Sequence, residues 1–153
     1  MRSFLAAAAI LAAGPLSAQS MRAAEGRPAY DVGIPEPSQP TVFFANIKDG
    51  ATVTSPVALE FGSLAIMIGA IGDFEDYFSG HHHLLIDVTA DDLDLTQPIP
   101  ATENIIHFGG GERRAVLGLL PGTYTLQLLA GDDNHVPHDP PVMSAPITIT
   151  VVE

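Results

Sequence analysis

The 153-residue chain has no cysteine and no tryptophan, and its six basic residues stand against 18 acidic ones. Each shortage removes a class of function. Without cysteine there is no disulfide, no thiolate metal site and no thiol catalysis. One lysine, Lys48, and five arginines cannot form a basic nucleic-acid footprint. A net charge of −12 makes an anionic membrane surface an equally poor partner. The length fits one compact domain rather than two of full size. Long amphipathic periodicity is also missing, while 14 glycines and 13 prolines predict many turns.

The one sustained apolar run lies at the beginning. Arg2 followed by the Ala/Leu/Ile-rich stretch Phe4–Leu16 and the small residues Ser17, Ala18 and Ser20 reads as a secretory signal over residues 1–20. Cleavage after Ser20 or after Ala18 satisfies the small-residue rule. The run is too short to span a bilayer well, and no membrane span is expected after cleavage. Removing it takes the net charge from −12 to about −13. The expected destination is periplasmic or secreted. Residues 21–40 carry Pro28, Pro35, Pro37 and Pro40 without apolar periodicity, the pattern of a flexible leader. Residues 41–153 form the single domain.

That domain reads as strands. Thr41–Lys48 is the first, followed by an Asp49-Gly50 turn. Val57–Phe61 alternates, Leu64–Ile68 is a further candidate, and Gly69–Gly80 reads as a loop with one helical turn. Strands then follow at His82–Thr89, Asn104–Phe108, Arg113–Leu119, Thr123–Ala130 and Pro146–Val152. Loops are expected at Asp91–Pro100 and Gly131–Met143, with a turn at Pro121-Gly122. The expected fold is all-β, an immunoglobulin-like or cupredoxin-like β-sandwich of about seven or eight short strands.

What the composition does hold is six histidines in three places: His81-His82-His83, His107, and His135 with His138. On a strand, His82, Leu84 and Ile86 share one face, read as the core face, which leaves His82 hydrogen-bonded at the core margin. His81 and His83 share the other face, roughly 6–7 Å apart along the strand. Such a pair can converge on one ion if a third ligand arrives from a neighbouring element. His107, just before Gly109-Gly110-Gly111, and His135 and His138, in a proline-stiffened loop, are the candidates. The candidate metal set is therefore His81, His83, His107, His135 and His138. Asp132, Asp133 and Asp139 are candidates to ligate or to orient the rings. An imidazole-rich set suits copper first and zinc second, with Met67 or Met143 as a thioether partner or, more ordinarily, as packing.

Other motifs are weaker. The glycine triplet lacks the lysine and the βαβ setting of a phosphate loop, and reads as a turn needing positive φ. Arg113-Arg114 is expected to pair with nearby acids. Asp91, Asp92 and Asp94 lack the spacing of a calcium loop. Ser79 beside His81 makes no hydrolase frame.

Five strings resemble the bacterial secreted family known as domain of unknown function 4399. They are VFFANIKDGATVTSPVALEFG (Val42–Gly62), GHHHLLIDV (Gly80–Val88), IHFGGG (Ile106–Gly111), LLPGTYTLQLLAGDDNHVPHDPPVMS (Leu119–Ser144) and the closing ITITV. Glu112-Arg113-Arg114 departs from the Gln-Thr-Glu common in that family, and Ala65–Phe78 is less similar. The resemblance implies an exported β-rich domain and says little of activity. Two functions follow from the residues. One is an exported metal-binding protein acting in metal handling, binding or delivery. The other is a non-catalytic cell-envelope binding or accessory module, with an envelope protein as partner and structural histidines. No general acid/base pair is visible, so an enzyme of unknown class ranks third.

Overall fold

The computed structural model describes residues 39–74 and 77–153. The signal reading, and the leader reading except for its last two residues, lie outside the described residues. Nine strands are present among them: β1 (Thr41–Phe44), β2 (Ala51–Thr54), β3 (Val57–Leu64), β4 (Met67–Ile68), β5 (Ser79–Ile86), β6 (Ile105–Phe108), β7 (Arg114–Leu117), β8 (Gly122–Gly131) and β9 (Ile147–Val152). No helix among the described residues is long and apolar enough to cross a membrane.

The strands form two sheets. A three-stranded sheet has the order β1-β3-β7, and a curled six-stranded sheet has the order β2-β9-β8-β5-β4 with β6 also on β5. Their inner faces meet in a sandwich-like core. Val42, Val57, Leu59, Phe61 and Leu117 come from the small sheet, and Leu84, Leu126, Leu128, Ala130, Ile149 and Val151 from the large one. Each enclosed Leu or Ile contributes about 1.5–3 kcal/mol of transfer free energy, which is how a chain without cross-links holds together.

The central strands β5 and β8 are buried on both faces. Behind the six-stranded sheet, Leu85, Ile105 and Leu129 join Ile99 in a second apolar cluster, with Val88, Leu93, Leu95 and Met143 packed on it. Gln127 fastens the covering segments. Its Oε1 accepts from the Ala90 N–H at 2.7 Å, and its Nε2 donates to the Ser144 carbonyl at 2.9 Å. The run LQLLA is therefore a doubly covered strand, as a near-continuous apolar string suggests.

Several boundaries differ from the expectation for identifiable reasons. The first strand ends at Phe44, not Lys48, because the Asn46 side chain takes over the pairing: Nδ2 donates to the Ala58 carbonyl and Oδ1 accepts from the Glu60 N–H, both at 2.9 Å. The Asp49-Gly50 turn forms, with Gly50 at φ +77°. It leads into β2, an unforeseen edge strand that runs parallel to β9. The stretch Leu64–Ile68 is split by Ala65 at φ +54°, leaving only Met67–Ile68 as β4. The expected strand His82–Thr89 lies three residues earlier, at Ser79–Ile86. Asp87 ends it by turning to φ +57° and accepting the Thr125 N–H at 2.8 Å. Arg113–Leu119 shortens to Arg114–Leu117.

Candidate metal centre

The strand register assembles the site. In the antiparallel pairs, His83 stands opposite His107 on β6 and opposite Leu129 on β8, while His81 stands opposite Gly131. His81, His83 and His107 therefore occupy one face of one sheet in adjacent rows. Gly131 supplies the room. A Cβ there would lie 2.9 Å from Cε1 of His83 and 3.3 Å from the His135 backbone.

His135 reaches the same place from the loop after β8. Asp132 shapes that loop: its Oδ1 accepts from the Asn134 and Val136 N–H groups at 2.8 Å, and its carbonyl accepts from the His135 N–H at 2.8 Å. The loop then folds back on the strand through a bridge between Gly131 and Pro137. His135 itself sits at φ +66°, a left-handed conformation costing a non-glycine residue roughly 1–2 kcal/mol. Held this way, its ring turns onto the histidine face. Its centroid is 4.7 Å from that of His107 and 5.0 Å from that of His81.

One nitrogen from each of His81, His107 and His135 lies within 4.8 Å of the others. At Zn–N lengths of about 2.0–2.1 Å, ligand nitrogens of a tetrahedral ion stand about 3.4 Å apart. Drawing the triangle onto an ion needs each nitrogen to move inward by at most about 0.8 Å. The His83 ring is a close neighbour, its centroid 4.8 Å from His81, 5.1 Å from His107 and 5.9 Å from His135. His81 is 0% and His83 2% exposed, His135 is half-buried, and His107 is open to solvent.

Two further properties make these groups ligands in waiting. Both ring nitrogens of His81 and of His83 are buried without a hydrogen-bond partner among the described residues, and an unsatisfied buried polar group costs about 1–3 kcal/mol. Their protonation is also suppressed. Burial first, then repulsion from His107 and His135, pushes His81 down to about 4, with Asp133 and Asp132 opposing the shift. Burial and the other three imidazoles push His83 down to about 3. His107 is lowered too, by burial and His135, against the pull of Glu112. At neutral pH His81, His83 and His107 are therefore neutral, with a lone pair free for a metal.

The remaining candidates are placed elsewhere. His138 packs its ring on Phe78 with centroids 4.5 Å apart, and its buried Nε2 has no partner. His82 corrects the expectation of a hydrogen-bonded residue at the core margin. It is 0% exposed on the main-core face, edge-on to Phe61 at 5.3 Å, with neither nitrogen bonded. Met143 packs in the second cluster, with the Gln127 Nε2 3.7 Å from its sulfur, and Met67 is partly exposed on β4. Asp132 serves the loop backbone. Asp92 caps the short 3-10 turn Ala90–Asp92 through Thr89, and Asp94 accepts from Thr96. Arg114 pairs with Glu60 at 3.4 Å, whereas Arg113 donates to the Ile68 carbonyl and has no acid partner among the described residues. Ser79 donates to the Phe74 carbonyl.

The glycine triplet after His107, read as a turn needing positive φ, has it at Gly111; the reading from spacing missed Gly131 and Gly109 as the residues that make room for the rings. At the end of β6 the His107 ring lies over Gly109, where a Cβ would come within 2.4 Å of its Cε1. Gly111, at φ +76°, lets the backbone of Gly69 and Ala70 approach. A glycine inside or ending a strand is the available signal for such close approach, and Gly131 and Gly109 both carried it.

No curated protein matches the chain. No solved structure matches it either. Residues 59–152, which hold all six histidines but begin after most of the string Val42–Gly62, match the family model described as Domain of unknown function (DUF4399), and the chain belongs to that family.

Proposed function

We propose that this is an exported, periplasmic or secreted, histidine-ligated metal-binding protein that handles or delivers a cation, copper first and zinc second. The observation that carries the reading is the gathering of His81, His107 and His135 nitrogens within 4.8 Å, beside the buried ring of His83, which has no hydrogen-bond partner among the described residues. Unlike His82, which packs on Phe61, the unpaired rings of His81 and His83 lie against another imidazole, with centroids 4.7 and 5.1 Å from that of His107, which favours a ligand over the accessory-module reading. Imidazole nitrogen without thiolate suits Cu(II) above Zn(II) on the Irving–Williams order. We assign His81, His83, His107 and His135 as the ligands and leave His138 outside, since its ring is engaged with Phe78. The scaffold is read as an immunoglobulin-like or cupredoxin-like sandwich, supported by a small sheet facing a larger curled one.

Elemental analysis of untagged protein from the periplasm tests the function. About one copper or zinc per chain is expected, lost in His83→Ala and in His135→Ala. Stoichiometric metal persisting in both variants refutes the assignment.

A further inference from the structure

The four imidazoles are not equivalent in how they are held. His81 and His83 lie on β5, which is paired with β8 along residues 81–86 and with β6 along residues 82–85. Both residues are enclosed, His81 at 0% and His83 at 2% exposure. His107 differs in each respect. It is exposed, and β6 is a four-residue strand whose one strand partner among the described residues is β5. Its ring rests on the bare backbone of Gly109, with Ile71 Cδ1 on the far side, 3.2 Å from where a Gly109 Cβ would stand. A methyl group on Gly109 would collide with that pose, 2.4 Å from Cε1 and 2.7 Å from Nε2 of His107. Gly109 has no left-handed φ, so alanine there is free of backbone strain and its effect falls on the His107 ring.

Resting on the metal-binding reading, we propose that the ligands divide in role. His81 and His83 retain the ion, and His107 is the ligand exchanged when the ion passes to an acceptor. Gly109 is the positioning residue that holds His107 over the site. The acceptor approaches from the solvent side of β6 and offers a neutral nitrogen or sulfur donor that replaces the His107 imidazole. The ion changes one neutral ligand for another, so no charge is buried or released at that step. Four buried, equally fixed imidazoles would trap an ion; one exposed ring on a short strand gives it a way out.

The test loads the full protein with Cu(II), or with Zn(II), and follows transfer to excess 1,10-phenanthroline, a chelator with neutral nitrogen donors. Gly118→Ala serves as the control, since a Cβ there meets nothing within 4 Å. Gly109→Ala and His107→Ala are expected to load about one ion and to release it about 10-fold faster or more, the usual effect of disturbing a ligand's support. The Cu(II) electron paramagnetic resonance spectrum of each should lose one coupled nitrogen. The near-isosteric His83→Gln is expected to fail at loading, with its folded state checked by circular dichroism. Release from Gly109→Ala and His107→Ala at the Gly118→Ala rate overturns the division of roles while leaving metal binding intact. So does full loading of His83→Gln with loss of loading in His107→Ala. Failure of the unmodified protein to load either ion overturns the metal reading itself, and the division of roles with it.

Discussion

His82 offers a direct measure of how far the histidine strand is buried. The ring sits in the main core against Phe61, and burial first, then Arg113 and His81, lowers it from the ordinary 6.5 to about 4. In the unfolded chain it titrates normally, so between those two values the unfolded state binds the extra proton. Stability from this group is intact above pH 6.5 and is lost as pH falls toward 4. The linkage amounts to about 2 kcal/mol at pH 5 and about 3 kcal/mol at pH 4. His82→Leu removes the group and fills the same space with carbon. The variant should exceed the parent by about 1–3 kcal/mol at pH 7.5, since leucine removes two buried nitrogens that have no partner among the described residues. At pH 5 its margin over the parent should widen by about a further 2 kcal/mol. Urea unfolding of metal-free protein at pH 7.5, 6 and 5 reads this out. Equal pH slopes for parent and variant would show that His82 is hydrated or hydrogen-bonded in the fold, and would sink the account of its burial.

Three other substitutions probe different links. Gly131→Ala should weaken copper or zinc binding by about 10- to 100-fold in a chelator competition, because the new methyl displaces the His83 ring. His135→Gly should abolish tight metal binding yet raise metal-free stability by about 1 kcal/mol, by relieving the left-handed strain; a drop in stability contradicts that conformation. Gln127→Leu should cost about 2–3 kcal/mol in thermal or urea unfolding, since it orphans the Ala90 N–H and the Ser144 carbonyl.

Much of the strand content was legible because period-two patterning and Gly/Pro turns are local signals. The failures fall where a side chain intervened in the backbone. Asn46 cut β1 short and Asp87 ended β5, and neither effect has a signature in hydrophobic periodicity. The edge strand β2 escaped notice because ATVT is too short to show a pattern and its partner, β9, lies almost a hundred residues away. At the candidate site, the i, i+2 relation of His81 and His83 follows from the strand period alone.

What the sequence by itself determined is the ligand chemistry and its first pairing. Lacking cysteine, the chain offers imidazole as its soft donor, and a β-strand places alternate residues on one face. Tertiary structure decided which histidines meet. Antiparallel register set His107 opposite His83, the Asp132-braced loop forced His135 over Gly131, and the docking of Phe78 drew His138 aside. The same structure sent His82 into the main core, one residue from the site and on the wrong side of the sheet to reach it. Those outcomes depend on contacts between segments far apart in the chain, where the energy of packing, not local preference, selects the geometry.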